Sequence, residues 1–162
     1  MDKTITESNK QEFFIRRYRE TDQEEVLKVW LRESLKSHSF IPAEFWKGYL
    51  DTLRNQYLPE WNTFVAEQDG QIIGFISLVG NYVGALFVST EFQRQGIGSA
   101  LLDFAYKTFG SLFVDVYKEN IQALAFYKKI GFLARREKIQ PETGQALITM
   151  FFGIKKAEKS KP

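Results

Sequence analysis

Gln93-Arg94-Gln95-Gly96-Ile97-Gly98 lies between a strand-like run, Ala85-Leu86-Phe87-Val88, and a helix-like run that carries Ile97, Leu101, Phe104 and Ala105 on one face. A glycine pair at a helix start lets the backbone come close to a ligand, because no Cβ stands in the way. The free N–H groups of the first turn point outward, and the helix dipole favours an anion there. A pyrophosphate is the natural guest. The first question is therefore which phosphate-bearing cofactor this turn holds.

The flanking sequence gives the turn its setting. Phe13, Ile15 and Tyr18 open a first strand. Thr21-Asp22-Gln23-Glu24 reads as a capping box with Thr21 as N-cap and Glu24 reaching back. The helix it starts carries Val26, Val29 and Trp30 at helical spacing. After a break at residues 37–41, Pro42 suits the first turn of a second helix bearing Phe45, Trp46, Tyr49 and Leu53, and Pro59 closes that region. Phe64-Val65-Ala66-Glu67 and residues 71–79 flank Gln68-Asp69-Gly70, a strong hairpin signal, and Gly80-Asn81 turns into a strand over residues 82–88. The glycine-initiated helix runs to about Phe109, and residues 112–117 form another strand. Asn120 is a good N-cap for a helix through Ile130, which Gly131 ends. A last strand pair, residues 132–139 and 145–153, surrounds Pro141-Glu142-Thr143-Gly144. The order β α α β β β α β α β β specifies a mixed α/β layer system.

Composition removes whole classes of chemistry. The 162 residues suit one domain with a real core, and the 44% hydrophobic fraction suits a globular chain. We expect a flexible segment over residues 1–11, a single domain over 12–154 and a solvated basic tail over 155–162. Met1 to Lys10 has no apolar core of a secretory signal, and no apolar run approaches the ~20 residues of a membrane span. With no cysteine there is no disulfide, thiolate metal site or cysteine nucleophile. With His38 the only histidine, a multi-histidine metal site is excluded, and no metal is expected. A net charge of +2 gives no reason to expect nucleic acid.

Three phosphate-bearing cofactors compete for the turn. For a nicotinamide or flavin dinucleotide, Gly96-Ile97-Gly98 is half a fingerprint, and Asp115 lies about 20 residues on, where a ribose-binding acid belongs. However, Leu101 replaces the third glycine, the loop from Val88 to Gly96 is too long, and three strands precede the motif. A Walker-type loop fails, because no Gly-Lys-Ser/Thr is present. Coenzyme A remains. Gln93-x-x-Gly96-x-Gly98 resembles the Gln/Arg-x-x-Gly-x-Gly/Ala signature of the GNAT N-acetyltransferase superfamily. Downstream, Asn120-Ile121-Gln122-Ala123-Leu124-Ala125-Phe126-Tyr127-Lys128-Lys129-Ile130-Gly131-Phe132 resembles the family's Asn-x-x-Ala-x-x-x-Tyr-x-x-x-Gly-Phe segment. The resemblance runs from about Phe13 to Phe152.

The resemblance implies a mixed, mostly antiparallel twisted sheet flanked by about four helices. It implies acetyl-CoA as donor and an amine as acceptor, with direct transfer and no acetyl-enzyme. The looks are closest to small bacterial members that acetylate protein amines, lysine above all. A small-molecule amine is the alternative acceptor, and a non-catalytic acetyl-CoA-binding sensor is the alternative class. A cytoplasmic monomer or homodimer, away from membranes, goes with this reading. By resemblance, backbone N–H groups of Arg94, Gln95, Gly96, Ile97, Gly98 and Ser99 hold the pyrophosphate, with the Arg94 side chain assisting or merely exposed. Leu86, Phe87 and Val88 offer backbone to the pantetheine arm as an added strand would, with Leu86 and Phe87 flanking the acetyl group. Asn120 reaches that arm as well as capping its helix, and Phe126 belongs to the same cofactor-binding set.

Three residues compete for proton transfer. Tyr127 is either a core aromatic or the acid that protonates the departing thiolate; a phenol near ~10 can serve a thiol near ~8.5. Strand parity separates Asp115 from Leu112, Val114 and Val116. Apolar neighbours would raise its pKa and suit a general base, acting through water, whereas the alternative is a structurally hydrogen-bonded strand carboxylate. His38, in the break between the first two helices, either relays a proton from a pKa near ~6.5 or has no role. Trp46, Tyr49 and Trp61 line an acceptor pocket or, for the first two, pack as half-buried core.

Overall fold

A computed structural model describes residues 12–153, so the segments 1–11 and 155–162 singled out above lie outside the described residues. The expected order of elements is present. Strand β1 (Phe14–Arg17) leads to α1 (Gln23–Ser37) and α2 (Ala43–Thr52). The second helix does not stop there: a π-helical turn, Leu53–Tyr57, carries it into the short α3 (Leu58–Glu60). Then follow β2 (Asn62–Gln68), β3 (Gln71–Val79), β4 (Tyr82–Val88), α4 (Ile97–Phe109), β5 (Leu112–Tyr117), α5 (Ile121–Ile130), β6 (Leu133–Ile139) and β7 (Ala146–Phe152). The seven strands form one sheet in the order β1-β2-β3-β4-β5-β7-β6. Every pairing is antiparallel except β4 with β5. No helix among the described residues is long and apolar enough to cross a membrane.

Strand alternation divides the apolar residues between two cores. On one face, Ile73, Ile76, Val114 and Val116 pack with Leu101, Ala105 and Tyr127 of α4 and α5. On the other, Val65 and Phe75 pack with Val26, Trp30 and Trp46 of α1 and α2. The hairpin turn at Asp69-Gly70 has positive φ at both residues, 50° and 76°, as a tight two-residue β-turn requires.

The β3–β4 register slips in mid-strand. Ser77 faces Ala85 but Leu78 faces Val83, so Gly84 is an extra residue, a β-bulge. A side chain cannot replace this glycine, because a Cβ there would lie 2.5 Å from the Trp61 ring. Strand β4 pairs with β5 only at Tyr82↔Phe113 and Val83↔Val114, just before the bulge. Beyond it the two strands part, leaving an unpaired strand edge in mid-sheet. The Ser89 N–H donates to the Ile73 carbonyl at 2.8 Å, which fixes the alternation. Phe87 therefore turns its N–H and C=O toward β3, while Leu86 and Val88 turn theirs into the gap.

One expectation about local structure is corrected. Thr21 does not cap the first helix. Asp22 precedes α1 instead; its carboxylate accepts the Arg19 backbone N–H at 2.7 Å and two Arg16 guanidinium bonds at 2.7 and 2.9 Å. The Arg16 guanidinium holds that carboxyl below the usual range. The selecting partner is an arginine on β1, which a capping pattern read along one segment does not register.

A buried carboxylate ties α1 to the loop after β4. Glu33, 2% exposed, accepts the Thr90 N–H at 3.1 Å, the Thr90 hydroxyl at 2.9 Å and the Gln93 side-chain amide at 3.3 Å. The same Gln93 amide donates to the Val88 carbonyl at 2.8 Å, so one clamp holds both the end of β4 and the start of the glycine turn. Glu33→Ala removes the charged acceptor that the Thr90 N–H, the Thr90 hydroxyl and the Gln93 amide share. It should destabilise the fold by about 1–3 kcal/mol in urea unfolding, and Glu33→Gln by less. Stability unchanged in Glu33→Ala would mean that the clamp contributes nothing.

Candidate active site

The glycine turn meets α4 through two left-handed residues. Arg94 has φ 63° and Gly96, the N-cap, has φ 83°. Arginine is unusual in that conformation, and such strain clusters at functional sites. The first helical bond runs from Ala100 N–H to the Gly96 carbonyl at 3.0 Å, so Ile97, Gly98 and Ser99 present N–H groups with no intrahelical acceptor. No acidic side chain stands in the first turn to occupy them. Left-handed residues at the head of a helix curl N–H groups into an anion-binding concavity. Arg94 and Gln95 are exposed. A Cβ on Gly98 would come 3.1 Å from the Phe126 ring, so the head of α4 and helix α5 touch there.

Helix α5 places Asn120 and Tyr127. Asn120 Oδ1 accepts the Ala123 N–H at 3.2 Å and caps the helix. Its Nδ2 lies 3.3 Å from His38 Nε2. Because Oδ1 is taken as an acceptor, Nδ2 is the donor, and the neutral imidazole carries its proton on Nδ1. Tyr127 is buried edge-on between Phe126, at 5.2 Å, and Phe132, at 5.0 Å. Burial pushes its phenol well above the ordinary value, so the hydroxyl keeps its proton. Tyr127 is thus a ring of the core.

His38 caps α1 at its C-terminus and is 8% exposed. It stacks on Trp46 at 4.8 Å, and the Tyr117 and Phe40 rings meet it edge-on at 5.0 and 5.8 Å. Burial lowers its pKa to about 4, so the near-6.5 value assumed for a loop histidine does not hold. Its Nδ1 is buried without a hydrogen-bond partner among the described residues.

The apolar surroundings expected for Asp115 are not there. The Thr149 hydroxyl donates to Oδ1 at 2.6 Å, and Lys138 Nζ lies 2.9 Å from Oδ2. Both partners come from the β6–β7 hairpin, and Thr149 stands directly across the strand pair. Parity was read correctly, since Asp115 faces away from the core that holds Tyr127; who stands opposite was not legible.

The structure adds Tyr117, which sequence reasoning passed over although it shares the face of Asp115. Its hydroxyl donates to Gln140 Oε1 at 2.7 Å, and Thr143 donates to the same oxygen at 2.7 Å. Burial pushes the Tyr117 phenol up to about 12, with the Gln140 bond pulling back. Tyr117, Trp46, Tyr49, Tyr57 and Trp61 line a pocket of ≈ 170 Å³ that also reaches Gly84 and Ala85, at the point where β4 leaves β5. Trp46 and Tyr49 are thus both core residues and pocket walls. Among the described residues no cluster of three or more His, Asp or Glu side chains is placed to hold a metal ion.

Comparison with known proteins places this arrangement. The acetyltransferase (GNAT) domain model matches residues 59–133. The chain is 33% identical to the peptidyl-lysine N-acetyltransferase YiaC of Escherichia coli K12 over 73% of this chain and 82% of that protein. It is 37% identical to the peptidyl-lysine N-acetyltransferase YjaB of the same organism over 73% and 80%. The solution structure of apo YjaB superposes with a TM-score of 0.78 at 30% identity, covering 88% of this chain and 99% of YjaB. A PaiA N-acetyltransferase from Thermoplasma acidophilum, crystallised with coenzyme A, shares the fold at 18% identity and a TM-score of 0.72, over 87% and 99%. With the family's domain model matched and relatives 33% and 37% identical over most of their own length, the chain belongs to the GNAT family of acetyl-CoA-dependent N-acetyltransferases.

Proposed function

We propose that this protein moves the acetyl group of acetyl-CoA directly to a primary amine, with a protein lysine as the acceptor class. One observation carries the donor side: the unpaired edge at Leu86 and Val88 ends beside the glycine turn that heads α4. The acceptor class follows the names of YiaC and YjaB. A small free amine is the other acceptor in the same chemistry. The cytoplasm, where acetyl-CoA is available, is the proposed place of action.

In this reading, N–H groups from Arg94 to Ser99 bind the pyrophosphate, and the pantetheine lies along Leu86–Val88 as an added strand. Asn120 and Phe126 border it from α5. A β4 N–H in the gap stabilises the oxyanion as the amine nitrogen attacks the thioester carbonyl. The acceptor enters as the neutral amine; attack leaves its nitrogen positively charged, and that nitrogen must lose a proton to a base before the amide is complete. His38 borders the pocket through Trp46 and Tyr117 and gives up the Asn120 bond to its Nε2 to take the proton, whereas Asp115 is held by Thr149 and Lys138. As the C–S bond breaks, the Tyr127 hydroxyl protonates the thiolate, and solvent later restores the phenol. The products are the amide and free coenzyme A thiol.

Single-turnover acetyl transfer by Tyr127→Phe tests the acid. The ring stays, so acetyl-CoA binding and melting temperature should change little, while the rate should fall by about 10²–10⁴-fold. A rate within about twofold of wild type would remove Tyr127 from proton transfer. A wild-type chain that binds acetyl-CoA but acetylates no amine would favour the sensor module.

His38 also makes a prediction about stability. Its folded value is about 4, against ~6.5 for the unfolded chain. Between those values the unfolded chain binds more protons, so this contribution is complete above pH ~6.5 and is lost as the pH falls toward 4. The loss approaches roughly 3 kcal/mol. His38→Gln should flatten that part of the pH dependence of urea unfolding relative to wild type. Identical slopes in the two proteins would mean that His38 titrates normally in the fold.

A further inference from the structure

We propose that the acceptor is recognised by an apolar ring, a phenyl-sized group carried beside the reacting amine and seated in the pocket between α2–α3 and β4. This deepens the N-acetyltransferase reading and rests on it. The pocket holds ≈ 170 Å³. An apolar protein cavity of about 150 Å³ takes a benzene molecule, so the space is that of one ring. Its walls carry no charged side chain; beside the polar tips of the tyrosines and of Trp46, the hydrophilic side chains that reach it are Ser77 and Gln140. Ser77 shares a 2.8 Å hydrogen bond with Thr63, and the Gln140 carbonyl oxygen takes the Tyr117 and Thr143 hydroxyls. An ammonium in that space would meet ring faces but lose its water and find no carboxylate, whereas a ring would meet ring faces and edges on several sides without that desolvation cost.

The local backbone is built around these walls. The π-helical turn ends at Tyr57, whose ring stacks on Trp61 at 4.5 Å and 12°. Such turns are uncommon and occur frequently at functional sites. Trp61 in turn lies against the bulged Gly84, where a Cβ would overlap it. A ring in the pocket therefore sits against the bulge at which the strand gap opens, and an amine attached to it stands at the mouth of that gap. A simple extended lysine stem leaves the ring space empty; a lysine next to an aromatic residue fills it, as does a free arylalkylamine.

The test compares kcat/KM for β-phenylethylamine against butylamine, and for the peptide Gly-Phe-Lys-Gly against Gly-Ala-Lys-Gly. In at least one pair the ring-bearing acceptor should lead by about tenfold or more, and the pair that shows it identifies a free amine or a peptide as the source. Trp61→Leu should collapse that lead to within twofold, while acetyl-CoA affinity by calorimetry is kept; Tyr57→Leu serves if Trp61→Leu does not fold. Equal kcat/KM within both pairs, with transfer intact, overturns the proposal. If no amine is acetylated, the transferase reading fails separately, and calorimetry with β-phenylethylamine decides the pocket. Saturable binding that butylamine lacks and Trp61→Leu loses supports it, and absence of binding overturns it.

Discussion

The β-bulge at Gly84, over which Trp61 packs its ring, is the constraint on which the architecture around the site depends. Only glycine can occupy the position, and as the extra residue of a bulge it lets β4 bend away from β5. The consequence is a row of backbone N–H and C=O groups in the middle of a sheet that no neighbouring strand pairs, with the Val88 carbonyl taken by the Gln93 amide. Unpaired strand edges are ordinarily covered or blunted, because they invite another strand. In the proposed reading Leu86 and Val88 offer the edge to an extended amide-bearing arm, and the pocket walls converge on the same bulge.

The phosphate end depends on a second device. Glu33 puts a buried carboxylate under the loop after β4, where Thr90, Gln93 and the Arg32 guanidinium meet it. Gln93 thus has a structural use that its place in the glycine motif does not reveal. It links α1, the end of β4 and the head of α4, so that the strand edge and the anion-binding turn are held as one unit. Asn120 makes a comparable link on the other side, since it caps α5 and holds His38 at the end of α1.

Much of this was legible along the chain. The element order, the Asp69-Gly70 hairpin, the Asn120 cap and the glycine turn all rest on local chemistry, and local chemistry is what a sequence displays. What escaped depends on partners distant in sequence. Parity placed Asp115 on its face, but Thr149 and Lys138 arrive from a hairpin that follows α5. Thr21 matched a capping pattern, yet Arg16 selects Asp22. His38 looked like a loop residue because the rings that bury it come from α2, β5 and the turn after α1. Gly84 was visible as a glycine inside a strand, itself a bulge signal, but nothing local named Trp61 as the reason.

The account stands on the strand gap as the seat of the donor. Amide hydrogen exchange followed by NMR, with and without acetyl-CoA, addresses it residue by residue. The Leu86 and Val88 amides should exchange fast in the free protein and slow markedly when acetyl-CoA binds, while Phe87, already bonded to β3, changes little. Saturation with acetyl-CoA that leaves Leu86 and Val88 as fast as before would contradict the account and put the pantetheine arm elsewhere.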